Sequence, residues 1–156
     1  MTPLETLAER VRAAIPLTRH LAFTLQDWRS GHLTLSAPLV ANVNDKGTFF
    51  AGSQAALLTL GGWALTTLEG EQIAAQVDVV AADSGIQYIA PLKENAILQI
   101  HAAEEELARF TRRLKRRGRA RLAVTAELLS PRGEIATRFT AHYLARDLAA
   151  PEPVVD

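Results

Sequence analysis

The chain of 156 residues contains no cysteine, and this absence excludes three kinds of chemistry. There is no disulfide, no metal site built on thiolates and no cysteine nucleophile. Net charge is also absent, because 17 lysines and arginines balance 17 aspartates and glutamates, so nothing draws the whole protein towards nucleic acid or anionic lipid. The N-terminus lacks a basic region followed by an apolar run, so we expect no signal peptide and a cytoplasmic location by default.

Charged residues are missing from residues 47–68, and we expect this stretch to organise the fold. A helix that is apolar on every side is either buried on every side or lies in lipid. Polar residues interrupt the stretch, and it is flanked by Lys46 on one side and by Glu69 and Glu71 on the other, which disfavours a membrane span. The sequence therefore predicts a central helix wrapped by the rest of the protein, with no membrane association.

Two adjacent glycines, Gly61 and Gly62, lie inside this predicted helix. Each glycine costs a helix roughly 1 kcal/mol relative to alanine, so the pair needs a reason. One interpretation is close approach by another backbone, either a sheet lying across the helix or the same helix of a second subunit. The alternative is plain packing of small residues in a core.

The rest of the chain predicts an amphipathic helix followed by a mostly antiparallel sheet. Thr2 and Glu5 form a capping box at the start of a helix within residues 1–16, which Pro16 ends. Period-two patterns predict strands at residues 23–28, 32–37, 76–88, 96–102, 120–129 and 135–144, with a bend at Ser84-Gly85. A second amphipathic helix is predicted at Glu104–Arg117, with acidic residues at its start and basic residues at its end.

These elements form one domain of the α+β class over residues 1–148, followed by a disordered tail at residues 149–156. Short hairpin connections favour antiparallel pairing. One sheet rolled around the single apolar helix is the simplest way to bury that helix.

Two motifs, in this order, resemble those of hotdog-fold thioesterases and acyl dehydratases. Residues 44–53, NDKGTFFAGS, resemble the Asn-x-x-Gly-x-x-x-Gly-Gly lead-in of acyl-CoA thioesterases, and residues 83–91, DSGIQYIAP, are similar to a central strand that ends in Tyr-x-x-Pro. A Lys-Gly-Thr-x-Phe-x-Gly-Ser run followed by LGGW at residues 60–63 is similar to the YiiD C-terminal-type thioesterase domain family. The resemblance covers about residues 21–146. It implies the hotdog fold, an acyl-thioester substrate, and a homodimer or homotetramer.

The chain departs from the better-studied hotdog thioesterases at three positions. Phe50 stands where several of them carry a histidine, and Ala51 replaces the first of the paired glycines. Thr59 stands where a catalytic carboxylate falls on the helix, so the usual general base or nucleophile is missing.

Hydrolysis of a thioester requires donors for the developing oxyanion and a polarised water. On this hypothesis the backbone amides of Gly52 and Ser53, at the start of the central helix, face the thioester carbonyl. The alternative is that these residues merely begin a helix. Residues assigned to the acyl group or its surroundings are Phe49, Phe50, Ala51, Ser84 and Tyr88.

For the water, Asp83 is the first candidate, because it is the only carboxylate between Asp78 and Glu94. Its alternative role is to bond backbone amides at a strand bend. Thr59 and Ser53 can orient water but are poor bases alone, and Asn44 either binds a carbonyl or caps its loop.

No two of the four histidines lie at ligand spacing, so we expect no metal, and no cofactor beyond coenzyme A as part of the substrate.

Eight of the 17 basic residues cluster between residues 109 and 121. They are Arg109, Arg112, Arg113, Lys115, Arg116, Arg117, Arg119 and Arg121. This cluster is interpreted as a solvated helix end, as a site for coenzyme A phosphates or an acidic acyl carrier protein through Arg112, Arg116 and Arg117, or as a nucleic-acid surface. No aromatic residues interleave it, so nucleic acid is not expected.

Three functions remain open at this point. The first is hydrolysis of an acyl thioester of coenzyme A or of a carrier protein. The second is a non-catalytic module that binds acyl thioesters, which the absence of a carboxylate at Thr59 supports. The third is a protein that docks nucleic acid or a partner through its basic helix.

Overall fold

The structure is a computed structural model that describes residues 1–151. Along the chain lie α1 (Pro3–Ala14), a 3₁₀ helix (Pro16–Leu21), β1 (Thr24–Arg29), β2 (His32–Ala37), α2 (Ala51–Gly70), β3 (Val77–Tyr88), β4 (Ala96–His101), α3 (Glu104–Arg117), β5 (Arg119–Leu129) and β6 (Ile135–Asp147). The capping box is confirmed, since Thr2 Oγ1 accepts from Glu5 N at 3.1 Å and Thr2 N donates to Glu5 Oε2 at 2.9 Å. Every strand predicted from the pattern is present, within a few residues of its expected ends.

The predicted tail begins with residues that are held against the domain. The amide of Ala149 donates to Asp147 Oδ1 at 2.9 Å, and that of Ala150 donates to the Asp147 carbonyl at 3.1 Å. The rest of the predicted tail, residues 152–156, lies outside the described residues.

Six strands form one sheet in the order β1-β2-β4-β5-β6-β3, and all neighbours are antiparallel. This confirms the predicted α+β class and the antiparallel sheet. Strand β3 is at one edge, although it is the third of the six strands in sequence. It is twelve residues long, and from Val80 onwards its residues are largely exposed.

Helix α2 lies across one face of this sheet and forms the core with it. Leu57, Leu58, Ala64 and Leu65 are fully buried, and the inward residues of every strand pack around them. The helix is not buried on every side, however, because Gly52 and Thr59 are exposed and Trp63 is half-buried. Within residues 1–151 no helix combines the length and the hydropathy that a membrane crossing requires.

The glycine pair is explained by two side chains of the sheet. A Cβ on Gly61 would come within 2.7 Å of the Ile100 side chain, and a Cβ on Gly62 would overlap the ring of Tyr143. The close approach is therefore real, but it is made by core side chains of the same chain. This is the small-residue packing that was the alternative interpretation.

The carboxyl end of α2 is fixed by a buried carboxylate, which follows directly after the uncharged stretch of residues 47–68. Glu69 is 6% exposed, and its Oε1 accepts from Gly31 N at 2.7 Å and from Trp28 Nε1 at 3.0 Å. Gly31 is in the turn between β1 and β2, with φ +77°. The helix end is thereby joined to the hairpin at the far edge of the sheet.

Strand β3 bends two residues earlier than the sequence predicted. The pairing with β6 shifts between Ala81 and Asp83, so the irregular residue is Ala82. The prediction of a bend at Ser84-Gly85 was therefore wrong. A bulge reverses the alternation of side chains beyond it. The inner face of β3 therefore carries Ala81 before the bulge and Ser84 and Tyr88 after it.

We predict that Gly62→Ala destabilises the protein by about 1–2 kcal/mol. Overpacking typically costs about 1–3 kcal/mol, and the gain in helix propensity of about 1 kcal/mol offsets part of it. The overlap falls on the far end of the Tyr143 ring, whose hydroxyl donates to the Thr59 carbonyl at 2.8 Å, so moving the ring away from the added Cβ breaks that hydrogen bond. Urea unfolding measures the change, with Thr59→Ala on the exposed side of α2 as the control, expected to be neutral or slightly stabilising. A Gly62→Ala protein as stable as the wild type would contradict this packing.

Candidate functional site

The amino end of α2 offers free backbone donors next to the exposed side of the helix. Phe50 precedes the helix with φ −60° and ψ 131°, and no side chain caps it. The first hydrogen bond of the helix runs from Gln54 N to Phe50 O at 3.0 Å. The amides of Ala51, Gly52 and Ser53 therefore have no acceptor within the helix. Together with the helix dipole, these amides favour a negative oxygen at this point.

A buried amide fixes this helix start in place. Gln54 is 4% exposed; its Nε2 donates to the Phe49 carbonyl at 3.0 Å, and its Oε1 accepts from Thr137 Oγ1 on β6. Phe49 is itself buried in the core, and its amide donates to Leu92 O at 2.8 Å. The structure thus places Phe49 under the site rather than in an open pocket.

Asn44 shapes the loop that leads to the helix. Its Oδ1 accepts from Lys46 N at 2.9 Å and from Thr48 N at 3.0 Å, while its Nδ2 donates to Thr48 Oγ1 at 2.8 Å. Gly47 within this loop has φ +77°, which a side chain would strain. These contacts favour the loop-capping interpretation of Asn44.

Tyr88 connects the edge strand to the helix start. Its hydroxyl donates to the carbonyl of Ala51 at 3.1 Å. Phe50, which is 52% exposed, places its ring where a Cβ on Gly52 would be. Of the predicted substrate-contacting residues, Phe50, Ala51 and Tyr88 are therefore together around Gly52, and Ser84 lies on the same inner face of β3.

An apolar pocket of 380 Å³ runs along the exposed side of α2, beginning one turn after Gly52. Thr59 lies at its middle and Trp63 at its far end along the helix. The 3₁₀ helix and the end of α1 form one wall, and β3 and β6 form the other. Its lining residues are Ile15, Leu17, Thr18, Leu21, Ala55, Ala56, Thr59, Leu60, Trp63, Ala81 and Tyr143.

Tyr143 closes the floor of this pocket and is held in one orientation. Its hydroxyl donates to the Thr59 carbonyl at 2.8 Å. Burial raises the pKa of the Tyr143 hydroxyl well above its usual value, so it remains a neutral donor. It is therefore poorly suited to act as a base on a substrate in the pocket.

Asp83 does not join this group within one chain. It pairs with His142 in the sheet, and the residues on either side of His142, Ala141 and Tyr143, face the core. Asp83 therefore lies on the face of the sheet opposite α2, where its carboxylate contacts His142 Nδ1 at 2.7 Å and Arg121 at 3.0 Å. The hydrogen bond from His142 lowers the pKa of the Asp83 carboxyl, and the nearby charges act in the same direction. Its catalytic role remains a prediction.

The predicted basic residues of α3 are grouped on the surface of that helix. Arg112, Arg116 and Arg117 line a hollow of 210 Å³ together with Arg109 and Arg113. Within residues 1–151, no group of three or more histidines and carboxylates is arranged to hold a metal ion.

The sequence did not single out Trp63 and Tyr143 as pocket residues, nor His142 as the partner of Asp83. A signal existed for Trp63, because residues 52, 56, 59 and 63 recur at helical spacing along one side of α2. No comparable signal existed for Tyr143 or His142, because their positions depend on the register between β3 and β6.

Solved structures of other proteins share this fold over nearly their whole length. One from Shewanella oneidensis, described as a "putative thioesterase", is 25% identical with a TM-score of 0.81, and the match covers 92% of this chain and 96% of that one. One from Chlorobaculum tepidum, described as of unknown function, is 28% identical with a TM-score of 0.79, covering 92% and 93%. A Haemophilus influenzae thioesterase shares the fold at 13% identity, with a TM-score of 0.74 and coverage of 98% and 96%.

The family model described as "Putative thioesterase (yiiD_Cterm)" matches residues 4–147, nearly the whole of the described chain. This family was the one that the Lys-Gly-Thr-x-Phe-x-Gly-Ser run and the LGGW motif resembled, and the neighbouring structures agree with its hotdog architecture. The chain therefore belongs to the YiiD C-terminal thioesterase family and has the hotdog fold.

Proposed function

We propose that the protein hydrolyses an acyl thioester whose acyl chain lies in the apolar pocket and whose carbonyl faces the amino end of α2. The observation that carries this proposal is the continuity of the two features along one helix. The free amides are at Gly52 and Ser53, and the pocket begins about 5 Å further along the helix axis. From Ala55 to Trp63 it follows the helix for about 12 Å, enough for a medium-length acyl chain.

The reaction needs a polarised carbonyl, a water molecule and a group that takes the proton of that water. A water oxygen attacks the carbonyl carbon, the C=O electrons move onto the oxygen, and the amides of Gly52 and Ser53 stabilise that oxyanion. Collapse of the intermediate breaks the C–S bond, and the proton removed from the attacking water is delivered to the leaving sulfur, so that the acid and a thiol are released. Thr59, which the sequence suggested as a residue that orients this water, is about 9 Å along the helix axis from Ser53, so its hydroxyl contacts the acyl chain instead.

A single chain supplies no evident base for that water. The pocket's lining residues include no carboxylate and no imidazole, and the Tyr143 hydroxyl stays protonated. We propose that a second copy of the chain completes the site by pairing along β3, whose outer edge is unpaired in the sheet of residues 1–151. A long edge strand of this kind readily adds another strand. A homodimer, or a homotetramer of such dimers, follows.

The absence of a base also keeps a second function in view, namely a module that binds acyl thioesters without hydrolysing them. The same pocket and helix start would serve it. Stabilisation of the protein by an acyl thioester, without release of thiol, would select this function over hydrolysis.

We predict that wild-type protein releases thiol from at least one member of a panel of acyl-CoA substrates, and that Gly52→Pro lowers kcat by about 100- to 1000-fold. Proline is tolerated in the first helical turn but lacks an N–H, so it removes one oxyanion donor. Gly52→Ala is the matched control, because it brings the same Cβ against the Phe50 ring and keeps the Gly52 amide. Equal rates for Gly52→Pro and Gly52→Ala would contradict the assignment.

We predict that Ala56→Leu shifts the preferred substrate towards shorter acyl chains. The added side chain fills part of the pocket, and each displaced methylene lowers kcat/KM by about fourfold, equivalent to about 0.8 kcal/mol. Ala75→Leu, at an exposed position beyond the end of α2, controls for the added hydrophobic volume. A chain-length profile that Ala56→Leu leaves unchanged would place the acyl group elsewhere.

We predict that Gly85→Lys, in the middle of the exposed half of β3, converts the dimer to monomer and removes activity. A lysine on an edge strand opposes pairing with another strand. Thr24→Lys on β1, at the other edge of the sheet, is the control and should remain dimeric. Light scattering after gel filtration measures the mass. A Gly85→Lys protein that keeps the wild-type mass and rate would exclude pairing through β3.

A further inference from the structure

A second cavity, of 560 Å³, lies behind the apolar pocket and is lined by arginines. Five guanidinium groups border it, from α3, from the start of β5 and from the end of β6. They belong to Arg113, Arg117, Arg119, Arg121 and Arg146. We call this cavity the arginine cleft.

The positive charge of the arginine cleft is poorly compensated. Asp78 is the only carboxylate among its lining residues, and Arg121 is paired with Asp83 at 3.0 Å. Across residues 1–151, Arg113, Arg117 and Arg119 form no ion pair with a carboxylate. Cations held together without counter-charges raise the local potential, so the cleft attracts anions.

Apolar side chains complete the cleft. Val80 and Leu144 line it and are 51% and 42% exposed, unusually open for large hydrophobic residues of a sheet. A flat ring can cover them while guanidinium groups bind phosphates bidentately or stack on the ring. The volume is within the range of small-molecule sites, which favours a compact ligand over the flat surface of a protein partner.

The arginine cleft and the apolar pocket lie back to back across β3 and β6. Val80 and Leu144 line the cleft, whereas their chain neighbours Ala81 and Tyr143 line the pocket. Successive residues of a strand point to opposite faces, so the two cavities share one wall. A ligand that occupied both would pass beyond an end of β3, because the edge between its ends is the one proposed to pair with a second copy.

From these features we propose that the arginine cleft binds a nucleotide that carries two or more phosphate groups. The nucleotide is either the end of a coenzyme A thioester, a version that rests on the proposed function, or a free nucleotide, which does not. Arginines supply the phosphate contacts, and Val80 and Leu144 supply the surface for the base.

The first test measures binding by calorimetry at low salt, with adenosine 3′,5′-bisphosphate as the probe. We expect wild-type protein to bind it more tightly than about 1 mM, and the double variant Arg113→Gln/Arg117→Gln to bind at least tenfold more weakly. The matched control, Lys115→Gln/Arg138→Gln, removes the same charge from α3 and β6 outside the cleft and should change Kd less than twofold. A probe that does not bind, or an equal loss in the control, would overturn the proposal. So would binding of an acidic carrier protein, but not of the probe, through Arg113 and Arg117.

The second test identifies the source of the nucleotide. Hydrolysis is compared for an acyl-CoA and for the acyl thioester of N-acetylcysteamine, which has no nucleotide. If Arg113→Gln/Arg117→Gln lowers kcat/KM tenfold for the first substrate alone, the cleft holds the end of coenzyme A. If neither rate changes while the probe still binds through the cleft, the ligand is a free nucleotide. Should the wild type hydrolyse neither thioester, the proposed function fails, and the binding test still decides the cleft.

Discussion

The contact between Gly62 of α2 and the ring of Tyr143 on β6 is the constraint on which the rest of the structure depends. The ring occupies the space of a missing side chain, and its hydroxyl bonds the Thr59 carbonyl at 2.8 Å. This contact sets both the depth of the helix and its rotation about its axis. Because that rotation is fixed, Gly52, Thr59 and Trp63 face away from the sheet. The pocket and the free amides therefore share one side of the helix.

The two ends of α2 have different roles, because they are held differently. At the carboxyl end the carboxylate of Glu69 satisfies two buried donors of the β1–β2 hairpin, at 2.7 and 3.0 Å. At the amino end the side chain of Gln54 fixes the backbone from below and leaves the first amides unbonded within the helix. Rigid support beneath free donors is the arrangement that pre-organised stabilisation of an oxyanion requires. The carboxyl end thus contributes stability, and the chemistry that we propose takes place at the amino end.

Patterns of local sequence were sufficient for the architecture. The capping box of α1, the period-two strands and the uncharged stretch predicted the elements, and the motifs at residues 46–53 and 60–63 led to the family. The site was harder to predict because of the bulge at Ala82. Regular alternation would place Asp83 on the inner face with Ala81, whereas the bulge turns it to the outer face. Neither that bulge nor the pairing of Asp83 with His142 leaves a local signal. The cluster of arginines was visible in the sequence. Predicting that they line one cleft with Val80 and Leu144 would have required the register of three strands.

The central claim is that an acyl thioester lies along the exposed side of α2 with its carbonyl at the helix start. A crystal structure with a coenzyme A analogue, in which a methylene replaces the ester sulfur and prevents hydrolysis, tests this most directly. The account predicts the ketone oxygen about 2.7–3.1 Å from the amide of Gly52 or Ser53, with the chain against Thr59 and Trp63. An analogue bound with its ketone away from both amides, or with its chain outside the apolar pocket, would contradict it.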